Sequence, residues 1–162
     1  MEYKLIQVYE DLIPLLSNVA SRIFIDYYKD MIGLDQATYM VEKFLSEDAI
    51  IQEVNNDTVF KLMYIDMVPV GFSEYKIDDQ RLFLSKLYMH EKYRKKHLGR
   101  KLLDDAIEYG RLHKLNKLYL TVNKYNPTLK IYEHWGFNNI ESVQTDIGNN
   151  YIMDDYIMEL NI

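Results

Sequence analysis

Six of the chain's 19 Lys and Arg fall within residues 92–101, which read KYRKKHLGRK. An apolar run, 82–89 (LFLSKLYM), leads into this stretch, and a helical pattern follows it. Leu98, Leu102, Leu103, Ala106 and Ile107 share one helix face; Arg100, Lys101, Asp104, Asp105, Glu108 and Arg111 share the other. A strand, a short basic loop and a helix start make an anion site, because a helix N-terminus carries unpaired N–H groups and about half a positive charge. The loop has neither the GxxxxGK[ST] spacing of a P-loop nor the GxGxxG of a dinucleotide fold. Residue type excludes other chemistries. The chain has no Cys, so thiolate nucleophiles, disulfides and zinc–sulfur sites are ruled out. His90, His97, His113 and His134 lack metal-ligand spacing, and no Ser lies in a nucleophile elbow.

These residues need a scaffold, and the hydrophobic pattern outlines one. Residues 4–9 alternate as a short strand. Asp11 is the expected cap of a first helix, with Pro14 in its first turn and Leu12, Leu15, Leu16, Val19, Ile23 and Phe24 at helical spacing. Asp35 is expected to cap a second helix through Tyr39, Met40, Phe44 and Leu45. Phe24, Tyr27, Tyr28 and Tyr39 crowd the corner between the two and are candidate substrate walls. Residues 58–65, 70–77 and 82–89 read as strands joined by short turns, an antiparallel meander in which Gly71 marks a close backbone approach. Residues 117–122 follow a helix and so pair parallel through a right-handed crossover. Asn126-Pro127 opens the last helix and Gly136 closes it. Residues 140–143 and 156–160 form a hairpin around the turn-rich 146–150. The order β-α-α-β-β-β-α-β-α-β-β is an α/β fold with a mixed sheet, not a doubly wound order.

A chain of 162 residues with 48% hydrophobic and 27% charged side chains is expected to form one folded domain, 1–162. No signal-peptide pattern opens it and no apolar run approaches ~18 residues, so a cytoplasmic protein with no membrane contact is expected. The net charge of −6 is uneven. Residues 1–80 carry 15 acidic and 6 basic side chains; residues 81–162 carry 10 and 13. One focused basic loop on an acidic chain suits a small polyanionic ligand, whereas nucleic acid calls for a broad basic face.

Two motifs then point to a family. Arg94-Lys-Lys-His-Leu-Gly99 resembles the (Q/R)xxGxG/A pyrophosphate loop of the GNAT N-acetyltransferases, with His97 in the place of the first Gly. Tyr132-Glu-His-Trp-Gly-Phe137 resembles the family's Y-x-x-x-G-F signature and follows in family order. The specific resemblance spans residues 82–137. More loosely, Phe24-x-x-x-Tyr28, residues 39–53 and Asp155-Tyr-Ile-Met158 look most like PaiA-type spermidine/spermine acetyltransferases.

The resemblance implies a GNAT-like α/β fold with acetyl-CoA as co-substrate, and transfer of acetyl to a primary amine by direct attack in a ternary complex. It implies that backbone groups of Leu87, Tyr88 and Met89 hold the pantetheine and polarise the acetyl carbonyl. The pyrophosphate would lie against N–H groups of Lys95, Lys96, His97, Leu98, Gly99 and Arg100, beside Arg94. Asn126 is the implied further cofactor contact. It sits six residues before Tyr132, where seven is usual, which leaves Asn123 as the alternative. Tyr132 is the implied general acid at sulfur, since a phenol of reference pKa near 10 is protonated at neutral pH. Glu74, mid-strand beside the cofactor strand, is the candidate base through a water, or else a solvent-facing strand residue. The expected acceptor is a small amine, a polyamine first. A protein lysine or N-terminus, or a non-catalytic acyl-CoA-binding module, is the alternative. No metal and no nucleic acid are expected, and the chain would be a monomer or homodimer.

Overall fold

In the computed structural model, which describes residues 2–162, strand β1 (Lys4–Gln7) leads through a 3-10 turn into three helices. These are α1 (Ile13–Ile32), α2 (Leu34–Phe44) and α3 (Glu47–Asn55). Pro14 stands in the first turn of α1, but Asp11 lies in the preceding 3-10 turn and Leu12 holds the cap position. Gly33, at φ +89°, separates α1 from α2, so Asp35 falls in the first turn of α2 and not at its cap. There its carboxylate still faces the positive helix end. The sequence pattern predicts two helices in this region, and α3 is the third. Its start is chemically well marked: Ser46 accepts the Ala49 N–H at 3.2 Å, and Glu47 and Asp48 fill the first turn. It was hidden because Ile50 is its one buried residue, too little for an apolar periodicity.

The sheet contains β2 (Val59–Ile65), β3 (Val68–Asp78), β4 (Arg81–Met89), β5 (Lys117–Asn123), β6 (Asn138–Gly148) and β7 (Tyr151–Asn161). Helix α4 (Leu98–Leu112) joins β4 to β5, and α5 (Leu129–His134) joins β5 to β6. The strands lie in the order β1-β2-β3-β4-β5-β7-β6, antiparallel except for β4 with β5. The terminal hairpin is longer than its alternation suggests, with 11 residues in each strand. Its turn shrinks to Asn149-Asn150, both at positive φ, the mirror-image geometry that matches strand twist.

Core clusters form on both faces, among them one around Met63, Val70, Met89 and Leu102. Leu16, Ala20 and Phe24 of α1 pack with Leu45, Ile50 and Phe72 on one side. Leu103 and Ala106 of α4 pack on Leu82, Leu118, Leu120 and Met158 on the other. Among the described residues no helix is long and apolar enough to cross a membrane.

Gly71 behaves as its strand position predicts. A Cβ there would lie 2.4 Å from Met89 Sδ and 2.9 Å from the Tyr88 carbonyl oxygen. The Met89 side chain can yield, but the ladder that fixes Tyr88 cannot. Gly71→Ala is therefore expected to destabilise the protein by about 1–3 kcal/mol. Urea unfolding should show a lower midpoint at unchanged slope.

Candidate active site

Strands β4 and β5 are in register only at Leu82 with Leu118 and Phe83 with Tyr119. The Phe83 and Tyr119 rings stack at 4.7 Å, and the Arg81 guanidinium covers Tyr119 at 4.0 Å, which pins the closed end. Beyond Phe83 the strands part, and β4 has an edge without a strand partner. Strand phase decides which groups face it. The His90 N–H donates to the Val70 carbonyl at 2.7 Å, so Tyr88 and Lys86, in phase with it, direct their backbone groups to β3. Leu87 and Met89 direct theirs to the gap. The three residues expected to act together are thus divided: Tyr88 contributes its side chain and leaves the open edge to its neighbours. Opposite Glu74 and Tyr75, β4 bulges at Ser85, a device that re-aims side chains beside active sites.

The basic loop closes one end of this gap. Arg94 folds back, its Nε donating to the Met89 carbonyl at 3.0 Å and its guanidinium lying 4.7 Å from the Tyr27 ring centre. Lys95 and His97 both take left-handed backbone angles, φ 60° and 61°. His97 thus adopts the conformation that a Gly would hold freely, at a cost of about 1–2 kcal/mol. The N–H groups of Lys95, Lys96 and His97 make no hydrogen bond among the described residues, and those at the start of α4 have none to make within a helix. A Cβ on Gly99 would meet Leu87 Cδ2 at 3.6 Å and Trp135 Cη2 at 3.7 Å, ordinary contacts. A run of free donors beside an open strand edge fits the phosphate and amide groups of an acyl-CoA.

Helix α5 brings Tyr132 to the same place. The Gly136 N–H bonds to the Glu133 carbonyl and the Phe137 N–H to the Tyr132 carbonyl, each at 3.0 Å, with Gly136 at φ +100°. The Tyr132 and Phe137 rings meet at 5.5 Å. This is a Schellman helix stop, and it explains the motif: the spacing Y-x-x-x-G-F places the last anchored carbonyl, the left-handed residue and the apolar staple. The Tyr132 phenol is pushed above its usual pKa by burial and then by Tyr27, with Thr128 partly offsetting both. It is a neutral donor.

Asn126 is redirected. Its side chain is buried, and Oδ1 accepts from Tyr27 Oη at 2.6 Å, Thr128 N at 2.9 Å and Thr128 Oγ1 at 2.7 Å. These bonds fix the start of α5 to the tyrosines of α1. Tyr28 Oη in turn lies 2.7 Å from Tyr88 Oη. Asn123 is half-buried and accepts the Tyr125 N–H at 2.9 Å, with its side chain at the wall of a cavity.

That cavity, of about 260 Å³, lies against the sheet face that carries α1 and α2 and spans the gap between β4 and β5. Phe24, Tyr28, Phe44, Phe83 and Tyr88 form its aromatic walls. Tyr39 is a latch and not a wall: Tyr39 Oη and Lys43 Nζ donate to the Ile147 carbonyl at 2.7 and 2.6 Å, holding the terminal hairpin to α2. Glu74 is buried in the cavity wall, which sets aside its solvent-facing reading. It is also occupied. Ser85 Oγ donates to Glu74 Oε2, and Lys86 Nζ lies 3.3 Å from the same oxygen.

Asp155 shares the cavity and was noted in the sequence only as part of a loose resemblance. Burial lifts its carboxyl to about 6, with Asp154 adding to the rise and Lys124 opposing it. The signal was its phase in β7: with Tyr151, Met153 and Ile157 it lies on one strand face, where an acid is out of place.

The acetyltransferase (GNAT) family model matches residues 20–137. A search of curated proteins finds no match to the chain. Among solved structures, the PaiA N-acetyltransferase from Thermoplasma acidophilum in complex with coenzyme A superposes with a TM-score of 0.85 at 21% identity, covering 100% of both chains. A GCN5-related N-acetyltransferase from Rhodopseudomonas palustris gives 0.82 at 15% identity, over 98% of this chain and 95% of its own. A ribosomal-protein-alanine N-acetyltransferase from Brucella melitensis gives 0.72 at 15%, over 98% and 99%. These likenesses establish the fold, and the match over residues 20–137, with the parted strands and the donor loop, establishes the family: the chain belongs to the GNAT acetyltransferases, enzymes that use acetyl-CoA as co-substrate.

Proposed function

We propose that this acetyltransferase acts on a small primary amine by direct attack in a ternary complex. One observation carries the reading: the gap between β4 and β5 opens to a donor loop at one end and to an aromatic-walled cavity that spans both strands. Acetyl-CoA supplies the activated acyl group. The N–H groups of residues 95–100 hold its pyrophosphate, and Lys95 and Lys96 lie at hand for the 3′-phosphate. The Leu87 and Met89 N–H groups face the pantetheine and polarise the acetyl carbonyl, so stabilisation is aimed where charge develops. Tyr132 gives its proton to the leaving sulfur. Alignment of the two substrates across the gap accounts for much of the remaining rate gain.

The cavity holds about 260 Å³, a size that favours a slender amine above an extended peptide. Its aromatic walls suit methylenes and a cation held face-on. Polyamines are the first acceptors to try. A mass-spectrometric screen with acetyl-CoA, offering spermidine, spermine, monoamines and peptides, should find acetylated small amines. Acetylation of peptide N-termini or lysines alone would overturn the small-amine reading. With a net charge of −6, the protein should also steer polycations. The kcat/KM for spermidine should fall as salt rises through the screening range, and that for an amine with an uncharged tail should fall much less.

A further inference from the structure

We infer that Asp155 is the catalytic carboxylate that receives the acceptor's ammonium group and takes its proton. The inference rests on the small-amine reading above and adds the residue at which that amine is held.

The charges around the cavity single it out. Five charged side chains line it: Glu53, Glu74, Lys76, Lys86 and Asp155. Lys86 lies 3.3 Å from Glu74, and Lys76 lies 3.9 Å from Glu53, whose Oε2 also accepts from Thr58 Oγ1 at 2.6 Å. Lys124, the cation that acts on Asp155, is paired with Asp154 at 2.8 Å. Asp155 is 4% exposed and makes no side-chain hydrogen bond or ion pair among the described residues. A carboxylate that lines a cavity and has no protein partner is placed to pair with a cationic ligand. The chemistry that completes a lone carboxylate among aromatic walls is a single ammonium group.

Its location is also right. Asp155 is in register with Asn123 on β5, at the end of β5 remote from the pinned Phe83–Tyr119 contact. Tyr28 lines the same cavity as Asp155. The titratable groups around Asp155 are Lys124 after β5, Tyr28 from α1, the Glu74–Lys86 pair across the cavity, and Asp154 beside it on β7 with its side chain on the other face; Val143 opposite it on β6 is uncharged.

The proton balance closes. A primary amine of ordinary pKa near 10 arrives as R–NH3+. Asp155 takes one proton, and the freed lone pair attacks the acetyl carbon. The C–N bond forms and the C–S bond breaks, with the electron pair leaving on sulfur. Tyr132 protonates that sulfur and is restored by the second proton shed from nitrogen. Asp155 then releases its proton to solvent, so one proton is lost per turnover. Raised to about 6, its carboxyl is a stronger base than an ordinary aspartate and is still ionised at neutral pH.

The test compares wild type, Asp155→Asn and Glu74→Gln, with spermidine and butylamine as acceptors. Asp155→Asn should lower kcat/KM for the amine at least 100-fold while the Kd of acetyl-CoA, by calorimetry, stays within twofold. The wild-type kcat/KM profile should fall tenfold per pH unit below about 6, and this limb should vanish in Asp155→Asn. The folded-state pKa lies above the unfolded value, so ionised Asp155 lowers stability above about pH 6, and Asp155→Asn should melt no lower than wild type at pH 7.5. That separates lost chemistry from lost fold. An Asp155→Asn enzyme with wild-type kcat/KM, or loss of the acidic limb in Glu74→Gln but not in Asp155→Asn, overturns the inference. A wild-type enzyme that acetylates neither amine overturns the small-amine reading itself.

Discussion

Gly99→Asp is expected to weaken acetyl-CoA binding by about 100-fold or more, near 2.7 kcal/mol. Gly99 lies in the first turn of α4, where free N–H groups and the helix dipole favour an anion by up to ~2 kcal/mol. A carboxylate there takes over those donors. It also sets a like charge beside the pyrophosphate, a repulsion of about 4 kcal/mol at 4 Å for an effective dielectric of 20. The protein itself tolerates the change, since a Cβ meets Leu87 and Trp135 at 3.6 and 3.7 Å. Gly99→Ala, which adds the methyl without the charge, should lose far less. Calorimetry on folded variants reads the difference. Equal affinity in Gly99→Asp and wild type would remove the loop from the cofactor site.

Tyr132→Phe should cut kcat by 10²- to 10⁴-fold, the usual worth of a positioned general acid, with little change in KM for acetyl-CoA. In the proposed role the hydroxyl acts as charge develops on sulfur, so its loss should fall on the transition state and not on ground-state binding. The ring is kept, and with it the contacts to Trp135 at 5.8 Å and Phe137 at 5.5 Å that hold the end of α5. Burial raises the phenol's pKa, so its neutral form persists as pH rises past 10 and no alkaline loss of activity should come from this group in the working range. Wild-type kcat in the Phe variant, measured where chemistry limits the rate, would return Tyr132 to the role of a packing residue.

How much of this was readable in the sequence depends on how local the cause is. The strand, loop and helix around Gly99 could be read because apolar period and charge change within a few residues. The end of α5 was readable because a Schellman stop is written in six consecutive positions, Tyr132 to Phe137. Helix α3 was missed because Ser46 caps a segment whose outer face is polar. The 11-residue strands β6 and β7 were cut short because β6 is exposed along most of its length and shows no alternation. Asn126 looks the same in sequence whether it meets a ligand or Tyr27, 99 residues away. Glu74 and Asp155 are the sharpest case. Both are acids within strands, and only the assembled cavity shows that Lys86 neutralises one and leaves the other without a partner.

The narrow junction of β4 and β5 has a mechanical consequence. Within the sheet, a leaf of β1 to β4 and a leaf of β5, β7 and β6 are joined by two residue pairs, Leu82 with Leu118 and Phe83 with Tyr119. A ligand whose amides pair with the open edge of β4 supplies rungs that the polypeptide leaves out. It then acts as a piece of the architecture as well as a reactant. Ligand present at 100 times its Kd adds about 2.7 kcal/mol to the folded state by mass action. In this fold the added rungs would fall at the seam between the leaves, where the polypeptide itself supplies two pairs.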